Sequence, residues 1–169
     1  FKKGDVIRTA GREAEIPCSN RLIVTRNPVN EPLPLWEPFF RWTIEHAEQV
    51  TSNVLSSFNA ITDPAVLLNR LDFVKQHAQA YHQKNPDGII YFEDAHYHNA
   101  EVRGICMDTV YPHVDIMSMN EEELQYTLEQ MFLYRLDIDD IIECVQGAEF
   151  LKKRYNVRKG IVVHTKDYA

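Results

Sequence analysis

The sequence predicts an α/β protein: a parallel sheet flanked by helices, preceded by a small antiparallel β unit. Three observations carry this reading. From about residue 36 onward, short apolar runs alternate with longer amphipathic stretches. Several of those apolar runs end in acidic or amide residues, as at Glu93 and Asn120. Residues 1–30 instead hold short β-like runs around a turn signal, without a helical period. Alternation of strand and helix implies parallel βαβ units with right-handed crossovers.

The elements follow in order. "DVIRTAGREAEIPCSNRLIVTRNP" reads as two or three antiparallel strands, with a turn at Ala10-Gly11-Arg12. "NPVNEPLPLWEP" is proline-punctuated and reads as a connecting loop. "WEPFFRWTIEHAEQV" is a helix, and "NVLSSFNAI" a strand with a polar exit. Asp63-Pro64 then starts a long helix, with Asp as N-cap and Pro in the first helical position. Leu67, Leu71, Val74, Ala78 and Tyr81 share one face of it. "NPDG" ends it, and "IIYFEDA" is a buried strand that turns acidic. A helix near residues 98–111, the strand "HVDIMSM", helices over 121–133 and 138–154, and the strand "GIVVHT" complete the pattern.

Composition bounds the function. The 169 residues suit one domain with a real core. A net charge of −7 argues against a nucleic-acid surface. No apolar run reaches the ~18 residues needed to span a membrane, and no signal peptide is visible. Cys18, Cys106 and Cys144 are distant and odd in number, with no CxxC pair. They read as free thiols of a cytoplasmic protein. The chain starts at Phe1 and stops soon after a strand-like run, so a piece of a longer protein is expected.

In parallel α/β sheets, ligands gather beyond the carboxyl ends of the strands. That rule selects Ser56 to Asn59, Glu93-Asp94, Asn120 to Glu123, and His164-Thr165. The stretch "MNEEEL" has two readings. Asn120 and Glu123 have capping-box spacing, and acids suit a first helical turn. Two carboxylates and an amide oxygen on neighbouring strand ends also suit Mg²⁺ with its retained waters and a substrate phosphate. Beside them, "EDAHYHN" holds Glu93, Asp94, His96 and His98, with His113 further on; these residue types could bind zinc or iron.

Taken together, "IIYFEDA…VYPHVDIMSMNEEEL…GIVVHT" resembles the archaeal ADP-dependent glucokinase/phosphofructokinase family, of ribokinase-like fold. That family shows a strand ending His-x-Glu, then an Asn-Glu-x-Glu strand exit, then a strand ending His-Thr with a following Tyr. Here these are Tyr91-Phe92-Glu93, Asn120 to Glu123, and His164-Thr165 with Tyr168. "VLSSFNAITD" and "SNRLIV" fall where the family has related segments, so the resemblance covers almost the whole chain.

The resemblance implies a glycolytic kinase that moves the β-phosphoryl group of ADP to glucose or fructose 6-phosphate, leaving AMP, with Mg²⁺. It implies Glu93, Asn120 and Glu123 as the metal site, and Asn120, His164 and Thr165 as nucleotide-binding residues. Residues 1–33 become part of a β lid, with Arg21 on a sugar phosphate, and residues 34–169 an incomplete ribokinase-like domain. A homodimer is compatible with such a lid.

The chain departs from the family at three points. The family histidine is Tyr91, and the usual Ser-Gly is Ser56-Ser57. The Gly-x-Gly-Asp loop that supplies the catalytic base is absent, so no catalytic residue is assigned within the chain. Two other readings remain open: a non-catalytic binding or assembly domain of the same fold, and a metal-dependent hydrolase using "EDAHYH".

Overall fold

The computed structural model describes residues 2–17, 32–97 and 99–165. It begins with an antiparallel hairpin of β1 (Val6–Thr9) and β2 (Arg12–Glu15). Thr9 pairs with Arg12, so Ala10 and Gly11 form a two-residue loop, with φ of 49° and 74°. Positive φ at both positions matches the right-handed twist of a tight hairpin, and Gly11 enters that region without a Cβ penalty. The hairpin pairs with no strand of the main sheet. The third strand expected before residue 30 lies outside the described residues.

The α/β unit follows. Helix α1 (Glu37–Glu45) leads through a short 3-10 turn to β3 (Ser52–Leu55). Then come α2 (Pro64–Lys84), β4 (Ile89–Glu93), α3 (Ala100–Val110), β5 (Ile116–Asn120), α4 (Glu121–Phe132), α5 (Ile141–Tyr155) and β6 (Gly160–His164). The strands lie in the order β3-β4-β5-β6, and all three pairings are parallel.

The long helix starts as its sequence dictates. Asp63 accepts the N–H of Ala65 at 2.8 Å, and Pro64 fills the first helical position. Its expected face, Leu67, Leu71, Val74, Ala78 and Tyr81, is wholly buried. One face of the sheet, Leu55, Ile90, Phe92, Met117 and Met119, completes that core. Consecutive right-handed crossovers in one direction put their helices on one side. On the opposite face Val54 is 69% exposed. Helices α4 and α5 approach closely where Gly147 meets Leu128; a Cβ there would lie 2.7 Å from the leucine methyl carbon.

Strand β5 starts later than the run "HVDIMSM" suggests. Tyr111–His113 form a 3-10 turn around Pro112, and Asp115 turns inward. Its buried carboxylate accepts the Ile90 N–H at 2.7 Å, pairs with His82 Nε2 at 2.9 Å, and is bound by Arg158 Nε. Arg158 also donates to the carbonyls of Pro86 and Gly88. This network locks α2, β4 and β5 to the start of β6 at the amino end of the sheet.

Candidate functional site at the carboxyl end of the sheet

Register builds the site. Glu93 is level with Ser118, and Asn120 is level with His164. Side chains alternate along a strand, so Glu93, Ser118, Asn120 and His164 share one face. His164 Nε2 lies 3.3 Å from Glu93 Oε1, reaching across the intervening strand over the small, buried Ser118. Both partners remain open to solvent, with side chains 44% and 41% exposed.

Asn120 ends β5 and caps α4. Its Oδ1 accepts the Glu123 N–H at 2.7 Å, and Glu123 Oε2 accepts the Asn120 N–H at 2.9 Å. The capping box expected from the spacing is therefore formed. It fixes the Glu123 side chain back over the end of β5. Burial raises the Glu123 carboxyl above its usual value, opposed by the Asn120 N–H; Asp94 adds to the rise, while Arg103 and His164 oppose it.

Behind these residues lies a buried polar network. Asp94 Oδ2 accepts from Tyr111 Oη at 2.6 Å and from Arg103 Nη2 at 2.9 Å. Arg103, fully buried, also donates to the carbonyl of Ala95 at 3.0 Å and to Thr127 Oγ1. Burial raises the Asp94 carboxyl, against the pull of Arg103. Asp94 is thus committed to the interior and withdrawn from any cluster with His96, whose ring packs on Tyr126 at 5.1 Å. His98 lies outside the described residues. Among the described residues, no three His, Cys, Asp or Glu gather as a metal cage.

The other expected positions fall as follows. Ser57 has φ 72° and sits in the left-handed region at the exit of β3. Asn59 Nδ2 donates to the His96 carbonyl at 3.2 Å, tying that exit to the loop after β4. Tyr91 lies on the same face as Glu93, half-buried, paired in register with Val54 and Ile116. Thr165 is half-buried directly after His164. Arg21 lies outside the described residues. The sequence reading missed Asp94, Arg103 and Thr127 as supporting residues. A signal existed: Arg103 shares the buried face of α3 with Val102, Cys106, Met107 and Val110.

The donor set fits Mg²⁺ better than a transition metal. Glu93 and Glu123 are hard oxygen donors, and Mg²⁺ keeps most of its waters while taking one or two carboxylates and substrate phosphates. Asn120 Oδ1 accepts the Glu123 N–H and keeps a second lone pair, so it joins Glu93 and Glu123 as a hard oxygen donor. A largely apolar groove elsewhere, between α5 and β6, is lined by Cys144, Val145 and Val162, with Glu149 and Lys152 at its side.

Solved structures share this fold. A phosphofructokinase from Pyrococcus horikoshii OT3 with AMP aligns with a TM-score of 0.71 at 21% identity, over 98% of this chain and 38% of that one. An ADP-dependent kinase in complex with fructose-6-phosphate and ADPβS aligns with a TM-score of 0.75 at 20% identity, over 97% of this chain and 37% of that one. The last common ancestor of ADP-dependent phosphofructokinases from Methanosarcinales aligns with a TM-score of 0.69 at 21% identity, over 97% and 36%. This chain therefore spans little more than a third of the length of those proteins. No curated protein matches the sequence. The model of the ADP-specific phosphofructokinase/glucokinase conserved region matches residues 1–169, and the chain belongs to that family.

Proposed function

We propose that this chain is the central part of an ADP-dependent sugar kinase, which moves the β-phosphoryl group of ADP to glucose or fructose 6-phosphate and releases AMP. The observation that carries the reading is Glu93 at the end of β4 and Glu123 in the first turn of α4, folded back towards Asn120 at the end of β5, with Glu93, Asn120 and His164 on one face of the sheet. Family membership supports the reaction class. Neighbours described with AMP, and with fructose-6-phosphate and an ADP analogue, support the ligand class.

Mg²⁺ held by Glu93, Asn120 and Glu123 would neutralise charge on the transferring phosphates. The chain's own groups do the rest of the positioning. The Asn120 amide and the N–H groups of Glu121 and Glu122 serve the anion at the start of α4, where the helix dipole favours negative charge. His164 and Thr165 line the nucleotide side, and His164 also steadies the Glu93 carboxylate. Arg21, on a lid formed by residues 1–33, meets the sugar phosphate. Residues 34–169 form the ribokinase-like domain, in a cytoplasmic, glycolytic enzyme. The general base that accepts the sugar hydroxyl proton comes from elsewhere in a longer polypeptide.

The test is AMP release. A polypeptide carrying these 169 residues within a full-length kinase should convert ADP to AMP with Mg²⁺ and one of the two sugars. The isolated chain should give no AMP above a boiled control, because a missing general base costs about 10²–10⁴ in rate. Turnover by the isolated chain, or none by the longer protein with either sugar, contradicts the reading.

A further inference from the structure

We propose that Arg103 is a positioning residue that sets the spacing between the Glu93 and Glu123 carboxylates; the inference rests on the metal reading above. One guanidinium holds both strand exits. On the β4 side it binds Asp94, the residue next to Glu93, and the carbonyl of Ala95. On the α4 side it binds Thr127 Oγ1 and reaches the carbonyl of Glu123 at 3.5 Å. Thr127 Oγ1 in turn donates to that same carbonyl at 2.5 Å. The chain of contacts therefore runs from the neighbour of one carboxylate to the backbone of the other.

The guanidinium is also fixed in its plane. Tyr97 and Tyr126 lie 5.1 Å and 5.7 Å from it, within cation–π range. A flat, forked group with several donors can bridge two elements at a set angle; a lysine ammonium cannot.

Stability alone is a poor explanation for this arrangement. Asp94 Oδ1 and Arg103 Nε are buried and have no hydrogen-bond partner among the described residues. An incompletely satisfied buried ion pair is often no more stabilising than apolar residues of similar volume. What the pair provides, and apolar packing does not, is a fixed geometry between the end of β4 and the first turn of α4. Partners that orient metal ligands from behind are commonly worth about 10–100-fold in metal affinity.

The experiment is Mn²⁺ binding to the 169-residue chain, followed by EPR of the free ion, with thermal melts of each variant alongside. Thr127→Val removes the bridging hydroxyl at nearly constant shape, and Thr127→Ser keeps it. Arg103→Lys keeps the charge and loses the fork. Glu93→Gln and Glu123→Gln serve as references for the metal site itself. The proposal predicts Kd for Mn²⁺ about 10-fold higher in Thr127→Val and Arg103→Lys, with Thr127→Ser close to the parent chain. Unchanged Kd in both, with only a lowered Tm, overturns the positioning role while the two glutamine variants still weaken binding. If neither glutamine variant weakens binding, the metal reading fails and takes this inference with it.

Discussion

The two ends of the parallel sheet use similar groups for opposite purposes. At the amino end, Asp115 meets His82 and Arg158 with its carboxylate fully buried. At the carboxyl end, Glu93 meets His164 with both side chains open to water. The Asp115 carboxylate accepts from a backbone N–H, a histidine and an arginine, so its lone pairs are spent on the fold. The Glu93 pair has a single long contact of 3.3 Å and remains able to exchange partners. Burial and saturation, not residue type, separate a structural carboxylate from one that can take a ligand.

Stability measurements can break this comparison. Asp115→Ala takes the shared partner from Arg158 and His82 and leaves the buried Ile90 N–H unpaired, which costs about 1–3 kcal/mol. Glu93→Gln at the open end should cost under about 1 kcal/mol, as exposed pairs do. Denaturant melts of the two variants check this; equal losses would erase the distinction between the ends.

A second test sharpens the view of the buried face. His77 is buried against Phe40 and Tyr81, and neither ring nitrogen has a partner among the described residues. Burial, and then the neighbouring His82, lowers its pKa below the ordinary 6.5. The folded chain thus favours the neutral ring, while the unfolded chain takes a proton near 6.5. Below that pH the unfolded state binds more protons, so stability falls as pH drops. His77→Phe should flatten that fall in a pH series of melts, leaving stability above pH 7 equal or higher.

The smallest expected effect is at the exit of β3. Ser57 sits at φ 72°, where an L side chain costs about 1–2 kcal/mol. Glycine there loses about 0.5–1 kcal/mol through its freer unfolded chain. Ser57→Gly should therefore stabilise by about 0.5 kcal/mol, read as a small rise in Tm.

Local signals made most of the fold legible. The Asp63-Pro64 start, the apolar face of α2, the Ala10-Gly11 turn and the Asn120–Glu123 box each need only residues close in sequence. The non-local parts were not legible. The Glu93–His164 contact spans 71 positions and depends on strand register. Asp94 read as a strand-end acid and candidate metal ligand in "EDAHYHN", because only Arg103 nine residues on and Tyr111 seventeen on explain its burial. The start of β5 was misplaced because His113 and Asp115 alternate with Val114 and Ile116 as in a strand, while Asp115 serves the network at the amino end.

The most direct test of the open-end claim compares two adjacent glutamates in a full-length kinase carrying this chain. Glu123 is folded back by the capping box, whereas Glu122 lies further round the same helical turn and is exposed. Activity is measured against Mg²⁺ concentration. Glu123→Gln should raise the Mg²⁺ requirement and lower kcat, with a stability cost under about 1 kcal/mol. Glu122→Gln should leave the curve nearly unchanged. Full activity of Glu123→Gln at limiting Mg²⁺ would contradict the account and leave that residue only its role as a helix cap.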